Sequence, residues 1–292
     1  MPQLVSVIIP TYNYGRFLGD AIQSVLDQTL PASEIIVVDD GSTDNTAAVI
    51  ATFGDRVKYF RQENAGVCAA RNRGVAESTG AVIAFLDADD IWEPTILEKG
   101  LSIFAGDDRI GLVHTGVRNF DSESGDTIDV KLVGGEDGFA DNLLLWEGPT
   151  ICCPASGMVS RKAFDAVGGF DPSMKVGEDW DFCYRVARMF RVKFVPEPLV
   201  NYRSHADAAH RNVREMERGM GRFYEKAFAE GDESVQKLRR RAYGNFHKVL
   251  AGSYFHAGSL RGFLVHGFKS LCYGSLKLKD IFKVLRRDRT GE

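Results

Sequence analysis

Short apolar runs alternate with amphipathic stretches along the first third of the chain. Continuous short runs of apolar residues are typical of strands that are buried on both faces of a parallel sheet. Such strands are predicted at residues 4–10, 34–40, 57–61 and 81–86. Between them, apolar residues at helical spacing predict helices over residues 17–28, 46–53 and 67–78, with Gly80 as the C-cap of the third. This alternation predicts an α/β fold with a mainly parallel, Rossmann-like central sheet that is flanked by helices.

The pattern becomes irregular beyond residue 105 and helical beyond His205. Strands are predicted at residues 111–120, 156–160 and 192–196, and a further extended segment at residues 199–205. Helices are predicted over residues 161–167, 182–190, 211–230, 239–256 and 260–273. A C-terminal helical extension therefore follows the sheet.

Carboxylates directly follow two of the predicted strands. Asp39 and Asp40 end the second strand, and Asp87, Asp89 and Asp90 follow the fourth. Open α/β sheets bind ligands at the carboxyl ends of their strands, so both acidic loops border one crevice if these strands are neighbours. Asp87 and Asp89 are spaced to give one divalent cation two oxygen ligands, since adjacent carboxylates repel one another without a cation or strong donors nearby. The alternative is an acidic turn in which Asp90 caps a following helix.

Composition narrows the class of protein. Of the 292 residues, 44% are hydrophobic and 26% are charged, as in ordinary soluble globular proteins. No apolar stretch approaches the roughly 18–20 residues of a membrane span, and the start has no signal-peptide pattern. The five cysteines indicate a reducing compartment, so a cytoplasmic location is expected. Neither GxGxxG after a strand nor a P-loop motif occurs, which argues against dinucleotide-binding proteins and P-loop NTPases, and no nucleic-acid partner is expected.

Charge is distributed unevenly along the chain. Residues 237–292 contain 13 Lys and Arg against 3 Asp and Glu, whereas the rest of the chain is acidic. Large apolar residues are interleaved with these basic ones, namely Phe263, Leu264, Phe268, Leu271, Ile281, Phe282, Val284 and Leu285. One interpretation is that the tail docks on the inner face of an anionic membrane. The other is a packed helical hairpin whose charged face is solvated.

Seven short motifs in order resemble glycosyltransferase family 2, the inverting nucleotide-sugar transferases of the GT-A fold. They are VIIPTYN at residues 7–13, VVDDGSTD at 37–44, NAG at 64–66 with ARNRG at 70–74, FLDADD at 85–90, GGFD at 168–171, EDWD at 178–181 and YRSH at 202–205. The resemblance ends at about Asp207. It implies a GT-A domain at residues 1–207, with a nucleotide-sugar-binding half at 1–105 and an acceptor half at 106–207. A basic helical extension would follow at residues 208–292.

The resemblance implies a metal-assisted donor site. Asp87, Ala88 and Asp89 correspond to the DxD motif of the family, with Asp87 and Ala88 at the donor and Asp89 and Asp87 as ligands of Mn²⁺ or Mg²⁺. His205 corresponds to a further metal ligand or phosphate contact, and an imidazole ligand would favour Mn²⁺. Such a cation neutralises the charge that grows on a departing diphosphate.

Four further residues resemble the nucleoside pocket of the family. Pro10 would contact the donor through its carbonyl group, Tyr12 would stack on the base, and Asp40 would accept hydrogen bonds from the base. Arg71 is expected to contact the phosphates or the base, the alternative being an exposed helix arginine. Asp44 fits a helix N-cap as well as a ligand contact.

Asp179 corresponds to the catalytic base of the family. Inversion in one displacement needs a group that takes the proton of the attacking hydroxyl. Glu178 and Asp181 are alternatives, and Asp179 also fits a simple helix cap. Trp180 is either an acceptor platform or a core residue.

The predicted function is therefore hexosyl transfer from a nucleotide diphosphate sugar, with UDP expected, to a hydroxyl of a saccharide or lipid-linked acceptor. Cell-surface polysaccharide or glycan synthesis is the expected setting. One alternative is a phosphotransferase of the haloacid-dehalogenase type with Asp87 as nucleophile, although that motif normally opens its fold. The other is a non-catalytic nucleotide-sugar-binding protein, which the joint presence of Asp87, Asp89 and Asp179 argues against.

Overall fold

The computed structural model describes residues 4–132, 134–147, 156–205 and 212–277. The chain divides into two compact units. The first comprises Met1–Ala140 and Pro149–Ala208 and contains the sheet, and the second comprises Asp141–Gly148 and Ala209–Glu292 and is built from helices. The functional division at residues 105 and 207 stays a prediction.

The N-terminal half of the sheet is parallel, as the apolar runs predict. Its strands are β1 (Val5–Thr11), β2 (Glu34–Asp39), β3 (Lys58–Arg61) and β4 (Val82–Phe85). They lie in the order β3-β2-β1-β4 with parallel pairing throughout. The connecting helices are α1 (Gly15–Leu26), α2 (Thr46–Ala51) and α3 (Val67–Ala76). Every residue of β1 and β4 is buried, which is why these segments are so apolar in the sequence.

Mixed pairing continues the sheet beyond β4. The remaining strands are β5 (Ile91–Trp92), β6 (Ile110–Asp121), β7 (Thr127–Lys131), β8 (Gly157–Ser160) and β9 (Arg191–Ser204). β8 is antiparallel to both β4 and β6, whereas β6 and β9 are parallel. The helices of this region are α4 (Ile96–Phe104), α5 (Phe139–Leu145), α6 (Arg161–Val167) and α7 (Glu178–Met189). Of these elements, β5, β7, α4 and α5 are absent from the sequence-based prediction.

Three predicted boundaries are wrong in this region. Residues 191–204 form one strand, because β9 runs through two prolines at a point where its register with β6 shifts. Asp90 precedes no helix, since Ile91 and Trp92 pair with β9 and α4 begins only at Ile96. α7 begins at Glu178 rather than at residue 182, which places Asp179 in its first turn.

Gly80 is not the C-cap of α3. That helix ends at Ala76 with Glu77 at the C-cap position. Gly80 instead lies against β1, where its N–H donates to Ser6 Oγ at 2.9 Å. A Cβ atom on Gly80 would lie 2.5 Å from the same oxygen, so the glycine is needed for close packing rather than for helix termination.

The second unit contains α8 (Val213–Glu230), α9 (Glu233–His256) and α10 (Leu260–Tyr273). α9 begins at Glu233 rather than at residue 239, because the Asp232 side chain caps it by accepting from two backbone N–H groups. Tyr224 is fully buried and donates its hydroxyl to the Leu144 carbonyl at 2.5 Å. Within the described residues no helix is long and apolar enough to cross a membrane. The basic segment at residues 281–287 lies outside the described residues.

Gly74 allows α3 to pack directly on β1. A Cβ atom at this position would lie 2.3 Å from Cγ2 of Ile8, whose side chain is fully buried. We expect Gly74→Ala to lower the free energy of unfolding by about 1–3 kcal/mol, which is the usual cost of overpacking a core. Urea denaturation followed by circular dichroism measures the change.

Gly221 provides the matched control. It lies inside α8, and a Cβ atom there would meet no other atom within 4 Å. Gly221→Ala should therefore raise the free energy of unfolding by about 0.5–1 kcal/mol, because alanine restricts the unfolded chain. Stabilisation by both alanines would contradict the packing assigned to Gly74.

Candidate active site

The two acidic loops flank the carboxyl end of β1. β2 and β4 are its neighbours on either side, and all three strands run in the same direction. Asp39 and Asp40 therefore lie at one side of the end of β1, and the Asp87–Asp90 loop lies at the other. The two strands that end in carboxylates are therefore not neighbours, which was the condition set in the sequence analysis, because β1 lies between them. Both loops nevertheless lie at the same carboxyl-end edge of the sheet.

Arg71 connects the loop after β4 with the start of α7. Its guanidinium is buried and donates from Nη2 to Asp87 Oδ1 at 2.8 Å and from Nη1 to Glu178 Oε1 at 3.2 Å. The ring of Phe170 lies beneath it, with the guanidinium carbon 5.1 Å from the ring centroid. The alternative of an exposed helix arginine is therefore wrong. Glu178, weighed as a base from sequence, is a partner of Arg71.

His205 brings the end of β9 to the acidic loop. Its Nε2 lies 3.0 Å from Asp89 Oδ2, and its ring packs against Tyr14 and Phe17. Burial, followed by the charge of Asp87, raises the pKa of Asp89. Two of the three residues predicted as metal ligands are thus in direct contact, although 116 residues separate them in the sequence.

The donor atoms suit a divalent cation, but the three predicted ligands are not assembled. Carboxylate oxygen and imidazole nitrogen together suit Mn²⁺. However, Asp87 is bound to Arg71 rather than turned towards Asp89 and His205. Consistent with this, the described residues contain no group of three or more His, Cys, Asp or Glu side chains placed to hold a metal ion.

Arg203 is a site residue that sequence reasoning did not single out. Its Nε donates to the Asp89 carbonyl at 2.8 Å, its backbone N–H donates to Asp90 Oδ1 at 3.0 Å, and its Nη2 reaches Asp20 Oδ2 at 3.0 Å. Phe17 and Phe120 hold the guanidinium between their rings, at 4.7 and 4.9 Å from the centroids. Arg203 therefore fixes the backbone of the acidic loop. In the sequence, only its position two residues before His205 could have indicated that Arg203 belongs to the site.

Asp40 has its carboxylate fully engaged by protein donors. Oδ1 accepts from Gln62 Nε2 at 2.8 Å and from Ala65 N at 2.9 Å, and Oδ2 accepts from Gly66 N at 2.8 Å. These bonds hold the turn that begins α3, the helix that carries Arg71. A contact of Asp40 with a nucleoside base stays a prediction.

The other predicted donor contacts lie along the same edge. Pro10 and Ala88 are buried, whereas Tyr12 is 45% exposed and is accessible to a ligand. Asp44 accepts from Gly15 N at 2.9 Å and from Thr46 N at 3.0 Å. It therefore ties together the starts of α1 and α2, although Asn45 and not Asp44 occupies the N-cap position of α2.

Asp179 has an unusual environment for a carboxylate. It lies half-buried in the first turn of α7 and accepts a hydrogen bond from Trp180 N at 2.7 Å. Burial, followed by the charge of Glu178, raises the pKa of Asp179 to about 7. Asp181, by contrast, is buried and bound to Arg185 at 2.7 Å within the same helix, which makes it a weaker candidate for proton transfer.

The family of the chain follows from comparison with known sequences. The model of Glycosyl transferase family 2 matches residues 6–168, more than half of the chain. The chain therefore belongs to this family. An uncharacterized glycosyltransferase of Nostoc sp. is 37% identical over 217 residues, which cover 70% of this chain and 66% of the relative. The chain thus spans slightly less than two thirds of that relative.

Solved structures agree in fold. S. aureus TarS 1-349 in complex with UDP-GlcNAc is 14% identical with a TM-score of 0.61, and the match covers 89% of each chain. The mannosyltransferase PcManGT from Pyrobaculum calidifontis, in complex with GDP-Man and Mn²⁺, is 17% identical with a TM-score of 0.63. That match covers 99% of this chain and 80% of the mannosyltransferase. The expected GT-A fold is confirmed.

Asp179 should reduce stability when it is ionised. Because folding raises its pKa from 3.8 to about 7, the folded state holds more protons between these values, and stability falls as the pH rises through this range. We expect Asp179→Asn to raise the free energy of unfolding at pH 8 by about 1–3 kcal/mol, after discounting for partial solvent access. Near pH 4 the gain should vanish. Thermal melts in the presence of a chelator, recorded between pH 4 and pH 8, measure this gain in stability.

Asp165→Asn is the control for this comparison. Asp165 is an exposed carboxylate on α6, so its replacement should change stability by less than about 0.5 kcal/mol throughout. If the gain in stability of Asp179→Asn increased on acidification, the environment assigned to Asp179 would be contradicted.

Proposed function

We propose that this chain is an inverting, metal-assisted glycosyltransferase that moves a hexose from a nucleotide diphosphate sugar, with UDP expected, to a hydroxyl of a saccharide or lipid-linked acceptor. The observation that carries the proposal is the bridge from Asp87 through Arg71 to Glu178, because it joins the predicted donor loop to the turn that presents Asp179. UDP-GlcNAc and GDP-Man in the similar structures support a nucleotide-sugar donor. Cell-surface polysaccharide or glycan synthesis is the proposed setting.

Asp179 is the proposed catalytic base. A base works best when its pKa lies near the operating pH, and a pKa of about 7 meets this condition. In the proposed reaction the acceptor hydroxyl attacks the anomeric carbon as Asp179 takes its proton, and the bond to the diphosphate breaks on the opposite face. The transferred sugar therefore has an inverted anomeric configuration in the product.

Positive charge for the diphosphate comes from Arg71 and a cation. Arg71 is a bidentate donor whose guanidinium geometry suits phosphate oxygens. Asp89 and His205, which are in contact, are the proposed holders of Mn²⁺ or Mg²⁺. Asp87 stays a predicted third ligand and is paired with Arg71 in this structure. When bound, such a cation stabilises the charge of the leaving diphosphate.

The two alternatives fit the chain less well. A phosphotransferase with Asp87 as nucleophile fits less well because the family match is to glycosyltransferases. A non-catalytic binding protein would have no need of a half-buried carboxylate with a raised pKa opposite the donor loop. Both alternatives predict that no sugar is transferred.

A transfer assay tests the proposal. Purified protein is incubated with UDP- and GDP-sugars, Mn²⁺ or Mg²⁺ and saccharide acceptors, and released nucleoside diphosphate and the anomeric configuration of the product are measured. Asp179→Asn should lower kcat by about 10²–10⁴-fold with donor affinity retained, whereas Asp165→Asn should match the parent. Phosphate release from a phosphomonoester without sugar transfer would overturn the assignment.

Arg203 is a positioning residue in this scheme. Lysine keeps the charge but cannot donate in the same fork to both the Asp89 carbonyl and Asp20. We expect Arg203→Lys to raise the metal concentration for half-maximal activity about tenfold or more, as for other residues that orient metal ligands.

Activity of Arg203→Lys at saturating metal should remain within about threefold of the parent. The same substitution at Arg118, an exposed arginine of β6, serves as control and should leave the metal titration unchanged. A loss of activity in Arg203→Lys that excess metal does not restore would contradict the positioning role.

A further inference from the structure

An apolar face on α10 is exposed among the described residues of the second unit. Four large side chains are exposed on it: Leu260 (57%), Leu264 (48%), Val265 (44%) and Phe268 (67%). Leu260, Leu264 and Phe268 follow one another at intervals of four residues, so they lie on one side of the helix. We refer to these four residues as the α10 apolar face.

The opposite side of α10 makes the packing contacts of the unit. Phe263, His266 and Ser270 are buried there, and Ser270 Oγ donates to the Gly244 carbonyl of α9 at 2.8 Å. The α10 apolar face therefore contributes nothing to this helix pair. Single exposed apolar residues are common on soluble proteins, but a contiguous group of this size marks a contact surface.

The sequence around α10 is basic. Between Lys237 and Lys277 the sequence has eight Lys and Arg and no Asp or Glu. Arg261 and Lys269 are exposed on α10 itself.

The positive charge near the α10 apolar face distinguishes between two candidate partners, a second copy of the chain and an anionic bilayer. A second copy of the chain would bring the same excess of cations against itself, which is unfavourable for association. An anionic bilayer supplies both parts of the complement, because its phosphates attract Lys and Arg while its interface accepts Leu, Val and Phe. Helices that lie in the plane of a membrane combine these two features.

We propose that the α10 apolar face docks on the surface of an anionic lipid bilayer. Leu264 and Phe268 enter the boundary between headgroups and acyl chains, and Arg261 and Lys269 contact lipid phosphates. This docking does not depend on the transfer reaction, so its failure would leave the proposed activity intact.

Vesicle co-sedimentation of the full chain tests the proposal. Vesicles of phosphatidylcholine with about 30% phosphatidylglycerol should pellet the protein, whereas pure phosphatidylcholine should pellet much less. The double variant L264S/F268S should bind anionic vesicles at least about tenfold more weakly, because the apolar contact is lost. Arg261→Gln with Lys269→Gln should weaken binding about threefold or more and reduce its salt dependence.

The matched control lies in the first unit. Ile128 and Val130 are 58% and 47% exposed on β7, so I128S/V130S removes a similar exposed apolar area elsewhere and should bind vesicles as the parent does. Thermal melts confirm that each variant is folded. Equal pelleting of L264S/F268S and the parent would overturn the proposal.

Size-exclusion chromatography with light scattering separates lipid docking from self-association. The parent and L264S/F268S should have the same mass in the absence of vesicles. A parent oligomer that L264S/F268S dissociates, without a change in vesicle binding, would assign the α10 apolar face to a second copy and overturn the proposal.

Discussion

The buried guanidinium of Arg71 is the interaction on which the candidate site depends. It binds Asp87 after β4 and Glu178 at the start of α7, so one side chain joins segments that are about ninety residues apart. Breaking a buried ion pair leaves an uncompensated charge. Without Arg71, the carboxylates of the two segments would face one another with no buried cation between them. Its position also orients the first turn of α7, and with it Asp179.

The surrounding fold places Arg71. Gly74 allows α3 to lie on β1, and Asp40 holds the turn from which α3 starts. Arg203 fixes the acidic loop from the opposite side through the Asp89 carbonyl. Asp40 and Arg203 thus support the site through the backbone, and the candidate base acquires its raised pKa because this arrangement buries it beside Glu178. Because the fold holds an ionisable carboxylate in this buried position, ionisation of Asp179 lowers the free energy of unfolding.

Local patterns predicted the parallel half of the sheet well, because strands buried on both faces are visible as apolar runs. Helices α6 and α10 begin and end where predicted. β7 was missed because all five of its residues are exposed and leave no apolar pattern. Gly80 was misassigned because a glycine that packs closely against Ser6 has the same sequence signal as a C-cap.

The sequence indicated candidate site residues, whose roles stay predictions, but it did not indicate the contacts between them. Asp87 and Asp89 were singled out by their position after an apolar strand, and Asp179 and His205 through the motifs of the family. The bonds from Arg71 to Glu178 and from Arg203 to Asp20 join residues 107 and 183 positions apart, and no local pattern encodes such contacts. The family model ends at residue 168, so the second unit and its α10 apolar face had to be interpreted from their own residues.

The most direct test of this account is the protonation of Asp179 itself. Carbon-13 NMR of protein labelled at the aspartate carboxyl groups, with Asp179→Asn to assign the resonance, follows its titration in the presence of a chelator. The account predicts a midpoint near pH 7, set by burial and by Glu178. A midpoint near 4, the value of an exposed aspartate, would contradict the assignment of Asp179 as a poised base.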